Sequence, residues 1–141
     1  MIRRAETKDV FNISLLYRQY AEECWQIKVK DDFIIALLTS SVVTPRSYGV
    51  VAMDRSKYIG FALCHMGMRP DGVSICVIES MFVKKEHRFE GLGRKLFTAC
   101  AAWGKSMKGQ NIVMRLPKEI IPNFCLKVGM NREAIIYSAE V

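Results

Sequence analysis

The chain has 141 residues, 50% of them hydrophobic and 25% charged. This ordinary globular usage excludes wholesale disorder and lets one domain, expected over residues 1–141, bury a core without disulfide or metal staples. The formal net charge of +7 favours anionic partners but does not choose among nucleic acid, phosphorylated cosubstrates and acidic proteins.

No apolar run approaches the roughly 20 residues that span a bilayer, so no membrane partner is expected. The opening MIRRAETKDV lacks the apolar stretch of a signal peptide, which makes the cytoplasm the expected location. Cys24, Cys64, Cys76, Cys100 and Cys125 stand in no zinc-like spacing and read as small buried hydrophobes, so no metal is expected. Nucleic acid is not the favoured partner, because no aromatic stretch is interleaved with basic residues.

MIRRAE is a short candidate strand, and Thr7 or Asp9 stands where the next helix would be capped. From Val10 the residues Ile13, Leu16, Tyr17, Tyr20 and Cys24 recur at helical steps and define one buried face. Asp31 to Leu38 is a second helical piece, with acidic residues at its positive end, and TSSVVTPRS reads as loop. YGVVAMD and YIGFALCHMGM form a hairpin across the turn-like RSK, and VSICVIESMFV continues it beyond RPDG as a third strand.

Next comes EHRFEGLGRKLF, a glycine-bearing turn that opens a helix with Leu92, Leu96, Cys100, Trp103 and Met107 on one face. NIVMRL is a short strand, PNFCLKVG a helix ending on Gly129, and REAIIYSAE a last strand. The order β-α-α-β-β-β-α-β-α-β predicts an α/β (α+β) fold: a mixed, mostly antiparallel sheet of about six strands flanked by helices.

A strand that ends in a glycine turn and restarts as a helix presents unpaired N–H groups to an anion. Gly91 and Gly93 leave room beside that backbone, and Arg88, Arg94 and Lys95 add positive charge. The alternative is a tight turn with a solvated basic helix start. A P-loop is excluded by the absence of G-x-x-x-x-G-K-[ST], and a dinucleotide fingerprint by Leu96 and the preceding meander.

In this setting RFEGLG resembles Q/R-x-x-G-x-G/A, the acyl-coenzyme A pyrophosphate loop of the GNAT acetyltransferase superfamily. The resemblance extends along nearly the whole chain, through MIRRAETKD, YIGFAL, IESMFVKKEHRFEGLGRKLF and FCLKVGM. It implies an acetyl-CoA-dependent N-acetyltransferase that passes an acetyl group directly to an amine of a small molecule or protein. Under that resemblance Arg88, Phe89, Glu90, Gly91, Leu92, Gly93 and Arg94 hold the pyrophosphate. Met81, Phe82 and Val83 pair with the pantetheine arm, and their strand offers an N–H to the thioester carbonyl.

An attacking amine must lose a proton, and Glu79 is the first candidate base. Strand alternation puts it on the face of Met81 and Val83 unless a bulge intervenes. His65 is the second candidate, on the acceptor side; either residue could instead be an ordinary strand side chain. Glu22, Glu23 and Trp25 could draw in and cover a cationic amine, or simply end a helix.

Some positions depart from the family pattern. Cys125 stands where many relatives carry a proton-donor tyrosine: its thiol could donate a proton, or it could only fill the space. Lys118 replaces a frequent asparagine. Glu90 in the loop must face solvent or be offset by Arg94 and Lys95. Only 12 residues follow Gly129, room for one strand, which would leave a sheet edge able to pair with a second copy in a homodimer. These departures keep open a catalytically inactive binding protein on the same scaffold, with or without retained coenzyme.

Overall fold

The computed structural model describes residues 1–116, 125, 127–131 and 139–140. Strand β1 (Ile2–Arg4) leads through a 3-10 turn at Thr7–Asp9 into helices α1 (Val10–Trp25) and α2 (Asp31–Val43). Strands β2 (Ser47–Asp54), β3 (Lys57–Met68) and β4 (Ser74–Val83) follow, then α3 (Leu92–Ser106) and β5 (Asn111–Met114). The sheet order is β1-β2-β3-β4-β5, with β5 parallel to β4 and every other pairing antiparallel. This is the α+β arrangement expected from the sequence, with five strands among the described residues where about six were expected. The final strand expected in REAIIYSAE, and the edge it would offer to a second copy, lie largely outside the described residues.

The sheet separates two layers. On one face Val51, Met53, Phe61, Leu63 and Phe82 pack with Ile13, Leu16 and Tyr20 of α1 and Ile34 and Leu38 of α2. On the other, Val50, Ala52, Ala62, Cys64, Cys76 and Ile78 pack against Leu96 and Cys100 of α3. Alternating residues feed opposite layers, as the two-residue period of a strand requires. Gly104 brings α3 close to the sheet, since a Cβ there would lie 2.6 Å from that of Cys76.

Helix α2 runs five residues beyond Leu38, through TSSVV, which the sequence presents as loop. Packing outweighs propensity here: Val42 lies against the α1–α2 core, and the Ser41 hydroxyl donates back to the Leu37 carbonyl at 2.8 Å. The helix stops at Thr44, whose backbone is extended, as a residue before proline prefers.

Asp9 fastens the start of the chain. Its fully buried carboxylate accepts from both terminal nitrogens of Arg3 (2.8 and 2.7 Å), the Tyr58 hydroxyl (2.5 Å) and the Glu6 amide (2.7 Å). The Arg3 guanidinium holds the Asp9 carboxyl well below the usual carboxylate range. A depressed folded-state pKa stabilises fully above the unfolded value, near pH 4, and the contribution is lost as pH falls toward the folded value. Asp9→Asn is expected to cost about 3 kcal/mol at pH 7, with a smaller difference from the parent at pH 3. Urea unfolding at the two pH values measures this, and an equal cost at both would remove the ionic account.

Candidate active site

Opposite β3, strand β4 carries one extra residue. Leu63 faces Ser80 and Cys64 faces Ile78, so Glu79 has no partner of its own. This bulge reverses the facing of β4: Cys76 and Ile78 belong to the α3 layer before it, Met81 and Val83 after it, and Phe82 to the α1–α2 layer. Uninterrupted alternation would have placed Glu79 with Met81 and Val83. The bulge separates them: Glu79 faces the α1–α2 side, opposite Ile78, in a cleft of about 560 Å3 that Tyr17, Tyr20, Trp25, Phe33, His65 and Arg115 also line.

Three charged or chargeable side chains meet in this cleft. His65 Nε2 lies 2.8 Å from Glu79 Oε1, and Arg115 Nη1 donates to Glu79 Oε2 at 3.3 Å. The other ring nitrogen of His65 lies 3.3 Å from the Met66 carbonyl, so both ring nitrogens face oxygen atoms. The Trp25 indole donates to the Tyr20 hydroxyl at 2.8 Å, and that hydroxyl in turn reaches the Glu79 carbonyl at 3.4 Å. Burial pushes the Tyr20 hydroxyl up to about 12, so it remains a neutral donor. Glu79 and His65, separate candidates in the sequence, therefore form one pair. Arg115 was not singled out; the available signal was a basic residue ending the strand that the crossover places beside β4.

Below the bulge β4 loses its neighbour. Pairing with β5 ends at Ile78 and Met114, with one further contact from the Arg115 amide to the Ile78 carbonyl at 3.3 Å. The Lys84 amide bonds the Ile59 carbonyl of β3 at 2.8 Å. Ladder alternation then turns the Met81 and Val83 amides to the opposite edge, where no described strand meets them.

The loop after β4 passes through a 3-10 turn at Lys85–His87 and enters α3 from Gly91, whose φ of +83° suits glycine. A side chain at Gly91 would meet nothing within 4 Å, so the backbone there lies open. The first bond within α3 runs from the Lys95 amide to the Gly91 carbonyl at 3.1 Å. The amides of Leu92, Gly93 and Arg94 consequently have no acceptor within the helix. Phe89 is fully exposed with φ of +67°, a strained setting for an aromatic residue. Glu90 is more than half exposed, 3.8 Å from the His87 ring, so its carboxylate faces solvent and is not bonded to Arg94 or Lys95.

Arg88 turns back from the loop. It donates to the Val83 carbonyl at 2.7 Å and grips both oxygens of Glu23 at 2.6 and 2.8 Å, holding that carboxyl below the usual range. Glu23 is thus tied to the loop and does not line the cleft; Glu22 is exposed and also off the lining, whereas Trp25 forms part of the wall.

Cys125 is buried, its sulfur 4.0 Å from the Met114 thioether, and burial pushes the thiol up. The Met130 amide bonds the Cys125 carbonyl at 2.8 Å and Gly129 has φ of +82°, the helix end expected there. Lys118 lies outside the described residues.

A model of the acetyltransferase (GNAT) family matches residues 10–119. The chain belongs to that family. No curated protein matches the sequence. Among solved structures this GNAT chain is similar to the aminoglycoside N-acetyltransferase AAC(6')-Iy in complex with the bisubstrate analogue CoA-S-monomethyl-acetylneamine. That match has a TM-score of 0.87 and 19% identity, covering 100% of this chain and 97% of the other. It is also similar to a possible acetyltransferase from Clostridium difficile 630, with TM-score 0.83, 18% identity and coverage of 100% and 97%. A third is a ribosomal-protein-alanine N-acetyltransferase from Brucella melitensis biovar Abortus 2308, with TM-score 0.76, 14% identity and coverage of 100% and 98%. At these identities the structures attest the fold alone.

Tyr20→Phe removes the hydroxyl that joins Trp25 to β4 and is expected to destabilise the protein by about 1 kcal/mol. Chemical denaturation measures it; an unchanged midpoint would show that the contact contributes nothing.

Proposed function

We propose that the protein is an acetyl-CoA-dependent N-acetyltransferase that moves an acetyl group directly from the thioester to an amine of a small molecule or protein. The observation that carries this reading is the junction at the β4 bulge. There the Glu79 carboxylate stands beside the point where β5 leaves β4 and the Met81 and Val83 amides turn to an edge that no described strand meets. A base candidate and an open strand edge adjoin one another, as direct transfer to an amine requires.

Acetyl-CoA, when bound, supplies an activated acetyl group and a pyrophosphate. The open backbone at Gly91 and the amides of Leu92, Gly93 and Arg94 fit the pyrophosphate, with the backbone of Phe89 and Glu90 beside them. Arg88 supports this loop through Val83 and Glu23 and does not aim its own charge at the phosphates. The β4 edge from Met81 to Val83 orients the pantetheine arm, and an amide of that edge polarises the carbonyl under attack.

Glu79 accepts the proton that the amine gives up, and His65, bonded to the same carboxylate, holds it in place. As the new C–N bond forms and the C–S bond breaks, the leaving thiolate takes a proton. Cys125, at the position of the family's proton-donor tyrosine, is the candidate donor; burial pushes its thiol up, which keeps it protonated and makes it a weaker acid than an exposed thiol. A coenzyme-binding protein without turnover is the second reading, favoured by the engagement of both Glu79 oxygens with His65 and Arg115.

Isothermal titration with acetyl-CoA, run beside a free-thiol assay over an amine panel, separates the readings. Micromolar binding with turnover is expected; binding without turnover on any amine would favour the second reading, and no binding at millimolar coenzyme would sink both. Glu79→Gln is expected to lower kcat about 100-fold or more with coenzyme affinity intact, and an unchanged rate would remove Glu79 as base. Cys125→Ala is expected to lower kcat about tenfold at unchanged coenzyme affinity, and unaltered turnover would reduce Cys125 to a packing role.

A further inference from the structure

Resting on the N-acetyltransferase reading, we infer that the acceptor is a small amine of amino-acid pattern: a carboxylate next to the amino group, on an aromatic or aliphatic body. Polycationic amines are the wrong charge type for this cleft.

The balance of charge is the first argument. Among the described residues Glu79 is the one carboxylate on the cleft lining, and His65 and Arg115 already take its two oxygens. Glu22 and Glu23 on α1 do not line the cleft, and Arg88 holds Glu23. A polyamine or an aminoglycoside brings several ammonium groups. All but one would enter without a described carboxylate to meet them, beside a guanidinium that repels them.

Arg115 supplies the second argument. Its side chain is 51% exposed, and among the described residues it engages only Glu79, through Nη1. A guanidinium carries five donors in a rigid fork, so most of this fork is open to a carboxylate from solution. Base and guanidinium are adjacent, 3.3 Å apart at Oε2 and Nη1. A carboxylate seated on Arg115 therefore brings a neighbouring amino group to Glu79, and the pair of side chains matches the pair of charges on the ligand.

The walls give the third. Trp25, Ile27 and Phe33 line the cleft and are 41%, 52% and 56% exposed, large apolar surface facing the site from α1, α2 and the segment between them. Tyr17 and Leu63 continue this surface inward. An apolar ligand body covers it and gains by leaving water.

The test compares kcat/KM for L-phenylalanine, L-phenylalaninamide, spermidine and neamine on the intact protein. With kcat/KM corrected for the fraction of neutral amine, which the carboxylate lowers in the acid, L-phenylalanine is expected to exceed the amide by about tenfold or more, the scale of one charge-assisted hydrogen-bond pair, and to exceed both polycations. Arg115→Met should bring the acid-to-amide ratio toward one. That ratio is insensitive to a disturbance of Glu79, which would slow both substrates alike. On the unmodified protein, 3-phenylpropionate, with ring and carboxylate but no amine, should inhibit competitively against the amine. An acid-to-amide ratio of one, no inhibition by 3-phenylpropionate, or faster turnover of spermidine or neamine would each overturn the inference and leave the acetyltransferase reading intact. No turnover of any amine in a broad panel would overturn the transferase reading and this inference together.

Discussion

While β3 advances from Leu63 to Cys64, β4 must advance by two residues, and the surplus falls on Glu79. Without it, Met81 and Val83 would lie under α1 and Phe82 under α3. With it, Met81 and Val83 join the α3 layer and Phe82 the α1–α2 layer, while Glu79 keeps its place in the cleft. The same distortion lies where β4 and β5 separate, because a strand that bends away from its neighbour cannot continue a straight ladder. The packing beyond Glu79 and the opening between the strands thus share a single local cause. A comparable surplus at Ile59 in β3 sends Ile59 into the α3 layer and leaves Tyr58 to reach Asp9.

The sequence was most readable where one period ran without interruption. Ile13, Leu16 and Tyr20 announce the buried face of α1, and Leu96 and Cys100 that of α3. It was least readable where the chain breaks its own rule. Nothing in IESMFV marks Glu79 as surplus, since a bulge is decided by the opposite strand and by what each face must bury. TSSVV looks like loop because its propensities are poor, and only Val42 against the core and the bond from Ser41 to Leu37 make it helix.

The site divides in the same way. The glycine turn was visible as a local pattern, and Gly91 has the backbone that the pattern implies. Relations across the fold were not visible. Glu23 and Arg88, 65 residues apart and expected at opposite substrates, are bonded to one another. Glu79 and His65 were rivals for one role and share a hydrogen bond. Arg115 stood at the end of an unremarkable strand, and its nearness to Glu79 exists only once α3 has carried β5 alongside β4.

Cys76 and Cys100 are unpaired thiols enclosed between the sheet and α3, with Cys76 Sγ 3.7 Å from the Cys100 carbonyl. A water-borne alkylating reagent needs an accessible thiolate, and in the closed molecule these two offer none. Their modification therefore clocks the lifting of α3 from the sheet, a motion distinct from anything in the acceptor cleft on the far face. The layer that presents the α3 amides to the coenzyme carries its own chemical stopwatch.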